Sequence, residues 1–323
     1  MARTSVGILR GGTSGEYDMS LKTGAAMMNA LPESEYDVRD ILIDKSGMWH
    51  SRGFPAEPAR ALSQVDVVLN ALHGGVGEDG TVQRILDQLG VPYVGSNASA
   101  SALSLNKIQA GMALEKAGLQ MPRALSFTTS KEMDTGSMAK MVFAQFGPPY
   151  MIKPPHDGAS IGLRVAPNVV ELPEVLGDVL DAYGTALVEE FLLGKEATVA
   201  VLEGYRGEDL YVFPPAEVVY PDESPFLHFD HHVQGHVKYI VPSNFSDVEK
   251  RALMEMARDA HRALGLSHFS RADFILTRRG PYLLEVNSLP GLHENAGMPK
   301  IMESVGTSLQ QFLTHAIGLA WRY

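Results

Sequence analysis

Short apolar runs alternating with glycine-bearing polar loops open the chain. Val6-Gly7-Ile8-Leu9 is a β-rich run, Gly11-Gly12-Thr13-Ser14-Gly15 reads as a loop, and Leu21, Ala25 and Met28 recur at helical spacing across residues 20–30. A second unit of the same kind follows. Residues 65–72 are nearly continuous in apolar side chains, as in a parallel strand covered on both faces. They run into the loop His73-Gly74-Gly75-Val76-Gly77-Glu78-Asp79-Gly80, a helical pattern from Thr81 to Leu89, and a short strand starting at Pro92-Tyr93-Val94-Gly95. Strand–helix alternation of this kind predicts an open parallel α/β sheet over roughly the first 95 residues.

Further on, helices are expected over residues 107–117, 246–264 and 299–317, and a strand over residues 148–154. Soft boundaries near residues 96 and 186 divide the chain into an N-terminal α/β domain (1–96), a central lobe (97–186) and a C-terminal lobe (187–323).

One segment carries a specific geometric argument. Ser270-Arg271-Ala272-Asp273-Phe274-Ile275-Leu276 and Tyr282-Leu283-Leu284-Glu285-Val286-Asn287 alternate apolar with polar and flank the polar turn Thr277-Arg278-Arg279-Gly280-Pro281, a hairpin signature. A regular hairpin centred near Arg279 sets Asp273 opposite Glu285 and Arg271 opposite Asn287. Two carboxylates and an amide oxygen then cluster, hard donors suited to Mg²⁺ completed by phosphate oxygens. The alternative is a surface hairpin with cross-strand ion pairs.

Other segments say less alone. Lys153 precedes the glycine loop at residues 158–162, where backbone N–H groups can cradle phosphate, although neither the Walker nor the dinucleotide pattern is present. Glu189, Glu190 and Glu196 lie on a strand–turn–strand pattern that can equally be an amphipathic hairpin with solvated carboxylates. Glu16 and His73 belong to loops that follow parallel strands, where ligands sit in open α/β sheets; a histidine in such a place is also a common packing residue.

Composition narrows the partners. A formal net charge of −11 argues against a nucleic-acid binder. The absence of cysteine excludes disulfides, thiolate metal sites and cysteine nucleophiles. The apolar run at the N-terminus is too short for a secretory core, and no stretch approaches the roughly 20 apolar residues that span a bilayer. A cytoplasmic enzyme acting away from membranes is expected.

Taken in order, these segments resemble the D-alanine–D-alanine ligase family of the ATP-grasp superfamily. The resemblance runs from Gly11 to Lys300. Its most specific pieces are Gly11-Gly12-Thr13-Ser14-Gly15-Glu16 with Ser20-Leu21, His73-Gly74-Gly75-Val76-Gly77-Glu78-Asp79-Gly80-Thr81-Val82-Gln83, and Pro92-Tyr93-Val94-Gly95-Ser96 with Lys107. Lys153-Pro154 with Gly158, Ser160 and Gly162, and Arg271, Asp273, Glu285, Asn287 and Pro290-Gly291 complete it. It implies an ATP-grasp fold preceded by an open parallel, Rossmann-like α/β domain. It also implies ATP-dependent joining of a carboxylate to an amine through an acyl phosphate, yielding D-alanyl-D-alanine for peptidoglycan.

Carried over residue by residue, the resemblance implies that Lys107 and Lys153 hold ATP phosphates beneath the loop containing Gly158 and Ser160. Glu189 and the backbone of Glu190 and Leu192 would read adenine, and Glu196 the ribose. Asp273, Glu285 and Asn287 would bind two Mg²⁺ ions, with Mn²⁺ as the alternative. Arg271 and the N–H of Gly291 would stabilise the oxyanion. Glu16 would anchor the first amino acid's ammonium beside His73, and Ala296 and Gly297 stand where the second amino acid's carboxylate binds. A homodimer is implied as well.

Three departures from the family pattern fall on the amino-acid side. Ala159 replaces the first serine of the phosphate loop. The family's Lys-Tyr dyad corresponds to Gln234-Gly235 when aligned on Phe229-Asp230, and to Lys238-Tyr239 when the loop is shifted; the second alignment would make Lys238 an ATP ligand, while the nearness of Tyr239 to Pro242 favours the first. Ala296-Gly297 stands where the family has a serine and an apolar residue. His228, His231, His232 and His236 lie in the same loop as Gly235 and read as a solvated loop, with metal or substrate contact as the alternative. Two other outcomes therefore stay open: the same chemistry with a different amino-acid or amine acceptor, and a nucleotide-binding protein without ligase turnover.

Overall fold

The computed structural model describes residues 3–156, 158, 161–220 and 237–321. These form three sheets in succession. The first contains β1 (Thr4–Gly11), β2 (Tyr36–Ile43), β3 (Trp49–Ser51), β4 (Phe54–Pro55), β5 (Val67–Asn70) and β6 (Tyr93–Val94), in the order β4-β3-β2-β1-β5-β6. Strands β2, β1, β5 and β6 run parallel, and β3 and β4 add an antiparallel edge. Helices α1 (Tyr17–Ala30), α2 (Pro58–Ala61) and α3 (Thr81–Leu89) belong to this unit. Val6, Ile8, Leu9, Val67, Val68 and Leu69 are all buried, as continuous apolar runs require in a doubly covered parallel sheet. The expected strand over residues 65–72 is trimmed to β5. Strand β2 escapes the apolar pattern because Asp37, Arg39 and Asp40 interrupt it. Arg10 holds Asp40 through two bonds of 2.6 Å, and Arg39 pairs with Asp37 at 3.0 Å.

Helices α4 (Ala98–Leu105) and α5 (Lys107–Lys116) follow. The second sheet joins β7 (Ala124–Thr128), β8 (Tyr150–Lys153), β9 (Arg164–Ala166) and β10 (Thr185–Glu190), antiparallel in the order β7-β10-β8-β9, with α6 (Thr135–Gln145) and α7 (Leu172–Tyr183) packed on it. The third comprises β11 (Lys195–Glu203), β12 (Leu210–Val212), β13 (Ala216–Val219), β14 (Lys238–Ile240), β15 (Phe269–Thr277) and β16 (Gly280–Asn287), in the order β14-β13-β11-β15-β16 with β12 also on β11. Its helices are α8 (Asp247–Ala263), α9 (Gly297–Ser304) and α10 (Leu309–Ala320).

Packing redraws the divisions expected from sequence. Residue 186 lies inside β10, so the central sheet runs on to Glu190. Helices α4 and α5, assigned to the central lobe, instead bury Ala100, Ala110 and Leu114 with Leu253, Ala257 and Phe274 of the third unit. The helix expected over residues 299–317 is two helices, α9 and α10, parted by a turn at Gly306 with φ 71°. The break lets Phe312, Leu313, Ala316 and Ile317 of α10 return to Val6, Ile8, Val67 and Leu69 of the first sheet.

Two local devices hold these units. Ser246 closes a capping box on α8: its hydroxyl accepts the Glu249 N–H, and Glu249 accepts the Ser246 N–H at 2.7 Å. His268 sits in the left-handed region (φ 66°), and its Nδ1 accepts the Gly95 N–H at 2.9 Å, tying the third unit to the first. Burial lowers the His268 imidazole from 6.5 to about 4, against the attraction of Glu203.

Ser246→Ala is expected to lower stability by about 1 kcal/mol, read as a reduced urea midpoint with unchanged KM values. The unfolded chain takes up a proton at position 268 below 6.5 that the folded chain refuses until about 4, so this histidine makes stability fall as pH drops through that window. His268→Asn, which tolerates the left-handed backbone, should show a shallower loss across the same window in thermal unfolding followed at stepped pH.

Candidate active site

The three units meet around one cleft of about 530 Å³, and the β15–β16 hairpin forms one wall. The hairpin is not regular. Thr277 pairs with Gly280 across a two-residue turn, and Phe274 with Leu283, but the next pair is Asp273 with Glu285, leaving Leu284 as a bulge. Without that extra residue the register from the turn would set Glu285 opposite Ala272, on the buried face. The bulge turns Glu285 and Asn287 onto the face of Arg271 and Asp273, and Arg271 does pair with Asn287.

On that face the charges are interlocked. Arg271 donates to both oxygens of Asp273, at 3.0 and 2.7 Å. The Asn287 amide donates to Asp273 at 2.9 Å, and the Thr198 hydroxyl from β11 does so at 2.6 Å. Lys107 reaches Glu285 at 3.1 Å from the first position of α5, a helix whose Ile108 and Gln109 N–H groups donate to the Asn106 side-chain Oδ1. Lys153, at the end of β8, meets Glu189 of β10 at 2.7 Å.

Burial by itself would push the Glu285 carboxyl up, but Lys107 and Lys153 outweigh it and hold it at about 2. At Glu196 burial, reinforced by repulsion from Asp273 and Glu285, outweighs the attraction of Arg271 and pushes the carboxyl up to about 8. Arg271 is raised despite its burial, chiefly by Asp273. Among the described residues no group of three or more His, Asp or Glu side chains is arranged to hold a metal unaided. Asp273, Glu285 and Asn287 nevertheless bring together hard oxygen donors of the kind that a small divalent cation could share with phosphate oxygens.

The first sheet supplies the opposite wall. Glu16 sits just before α1, buried where two glycine segments converge. A Cβ on Gly74 (φ 63°) would lie 2.5 Å from its carboxylate, and one on Gly158 would lie 2.8 Å from it. His73 is buried, with Nε2 2.9 Å from the Thr23 hydroxyl. Burial, and then the neighbouring His293, lower it to about 4, so it is neutral at physiological pH.

At the far end lie Gly291, His293, Ala296 and Gly297, where α9 begins. Gly297 is required by packing, since a Cβ there would come within 2.6 Å of the Tyr239 ring. The cleft is also lined by Glu189, Glu190, Leu192 and Glu196; the Glu190 carboxylate turns to Arg123, with a closest bond of 2.6 Å.

Lys238 does not join the site. Alternation along β14 leaves it exposed while Tyr239 lines the cleft, its phenol pushed up to about 12 by burial. Ser160, Asp157, Ala159, Phe229, Asp230, Gln234, Gly235 and the histidines 228, 231, 232 and 236 lie outside the described residues. Three further participants were not singled out from sequence. Thr198 shares the face of Glu196 on β11, and alternation alone could have found it. Glu78 lines the cleft, accepts the Gly74 N–H at 2.7 Å, and is pushed up to about 7 by burial. His293 carries no local pattern that marks it.

Comparison with known proteins bears on the family and the fold. Residues 113–318 match the family described as "D-ala D-ala ligase C-terminus" and residues 52–96 the one described as "D-ala D-ala ligase N-terminus". The D-alanine–D-alanine ligase of Geotalea uraniireducens is 33% identical over 319 residues, covering 98% of this chain and 95% of the relative. That of Halalkalibacterium halodurans is 34% identical over 324 residues, covering 98% of each. Among solved structures, D-alanyl-alanine synthetase A from Vibrio cholerae superposes with a TM-score of 0.85 at 25% identity, covering 99% of both chains. The VanG D-Ala:D-Ser ligase from Enterococcus faecalis gives 0.82 at 26% identity, covering 99% of this chain and 100% of that one. The chain therefore belongs to the D-alanine–D-alanine ligase family, ATP-dependent ligases of ATP-grasp fold.

Proposed function

We propose that the protein joins two molecules of D-alanine, with cleavage of ATP to ADP and phosphate, supplying the dipeptide for peptidoglycan in the cytoplasm as a homodimer. The observation that carries this reading is the hairpin face bearing Arg271, Asp273, Glu285 and Asn287, directly opposite Lys107 and Lys153. A structural hairpin has no need of this much buried charge.

In this reading Glu16 holds the ammonium of the donor amino acid and His73, neutral, lies beside its carboxylate. Adenine rests against Glu189 and the backbone of Glu190 and Leu192, and Glu196 accepts hydrogen bonds from the ribose hydroxyls. Lys107 and Lys153 neutralise the phosphates under the segment that includes Gly158 and Ser160. The donor carboxylate attacks the terminal phosphorus and ADP leaves, giving an acyl phosphate. The acceptor's free amine then attacks the acyl carbon. The oxyanion so formed is met by Arg271 and the Gly291 N–H, and its collapse expels phosphate. Asp273, Glu285 and Asn287 would hold Mg²⁺, or Mn²⁺, which when bound offsets negative charge on the transferring phosphoryl group.

A second reading keeps the chemistry and changes the acceptor. It is favoured by Ala296, whose methyl group stands where the family has a hydroxyl.

Glu285→Ala is expected to cut ATP-dependent phosphate release by about a thousandfold or more and to weaken Mn²⁺ binding in the presence of nucleotide; unchanged turnover would remove Glu285 from the site. With ATP, Mg²⁺ and a panel of D- and L-amino acids, D-alanine alone should give phosphate and dipeptide at the highest rate. A higher rate only when a second amino acid is added would instead establish the altered acceptor.

A further inference from the structure

The acceptor end of the cleft holds a group with no assigned task. His293 is 8% exposed and lines the cleft, yet its ring makes no hydrogen bond among the described residues, and Nδ1 is fully buried without a partner. A buried nitrogen without a partner has lost its water and gained nothing in return, so such groups call for a reason. The ring folds over Gly291: a Cβ there would lie 3.5 Å from its Nε2 and Cδ2, and 3.4 Å from the Ala296 methyl. Helix α9 starts at this spot with Ala296 as its N-cap and no side chain accepting from its first N–H groups. The start of α9 and the Nε2 edge of the His293 ring therefore border the same end of the cleft, and a helix start and an imidazole N–H both suit an anion. Burial and the charges of Lys22 and Arg271 lower His293, against Glu294; an imidazole carries a ring N–H in either protonation state and can donate it.

We infer that His293 is an acceptor-recognition residue of this chain: its ring N–H binds the carboxylate of the second amino acid beside the uncapped start of α9, in place of the hydroxyl absent at Ala296. This rests on the ligase reading. The donor's carboxylate is consumed in the reaction, whereas the acceptor's persists into the dipeptide, so the two can be told apart.

D-Alaninamide has no carboxylate and can serve only as acceptor. Wild-type enzyme should favour D-alanine over D-alaninamide at the second site, and His293→Ala should lose about tenfold of that preference. The rise should fall on the acceptor KM, with the KM values for ATP and donor unchanged, and His293→Gln should recover part of it. Independently of turnover, the ¹⁵N signals of the His293 ring, assigned by their loss in His293→Gln, should shift when D-alanyl-D-alanine is added with ADP. They should not shift with D-alanyl-D-alaninamide. Equal ring signals with the two dipeptides, or an undiminished preference in His293→Ala, would overturn the inference. Lack of any turnover of D-alanine by the wild type would count against the ligase reading alone, because the dipeptide titration reads His293 directly.

Discussion

The cleft depends on cancelling charge away from water. Asp273, Glu285 and Glu189 would each be costly to bury alone, and each is held by a cation or a set of donors: Arg271, Asn287 and Thr198 for the first, Lys107 for the second, Lys153 for the third. Each of these pairs stays within one unit. Lys107 opens a helix, Lys153 ends a strand of the second sheet, and their acids sit on the third and second sheets. The same contacts that permit burial therefore fix the charged side chains within each wall, and between walls Lys153 of the second unit also attracts Glu285 of the third. At Glu196, as at Glu78, the balance is less complete, and burial pushes the carboxyl up, to about 8 at Glu196.

Much of this was legible before any coordinates. Apolar runs of fixed length placed β1, β5 and α3, and the two alternating segments placed the β15–β16 hairpin with the pairing of Asp273 and Glu285. The route to that pairing was wrong in one respect. A regular hairpin centred near Arg279 gives the same partners as a tighter turn followed by a bulge at Leu284, and nothing in the local pattern separates them. Strand β2 was hidden because ion pairs, not apolar side chains, cover its polar positions. The division of the last helix was hidden because Gly306 interrupts a run that is apolar on both sides.

The residues that sequence placed least well are those whose role depends on a neighbour far away in the chain. Lys238 and Tyr239 are adjacent, and only the pairing of β14 with β13 shows which of them faces the cleft. His293 has no periodic company; its meaning comes from Gly291, Ala296 and the start of α9. The nucleotide side is written in motifs because loops and strand ends present phosphate-binding groups locally. The amino-acid side is assembled from the first sheet and the segment after β16, so its logic is tertiary.

The return of α10 to the first sheet has a consequence for how the chain comes to exist. Val6, Ile8, Val67 and Leu69 belong to a core that is completed by Phe312, Leu313 and Ile317. On a ribosome the opening strands emerge hundreds of residues before their cover. Until then that face of the first sheet has only part of its cover, from Met27 of α1 and Leu31 just after it, while the second sheet with its own helices can consolidate earlier. The two walls of the cleft thus come together last, and nearly full synthesis precedes any working site.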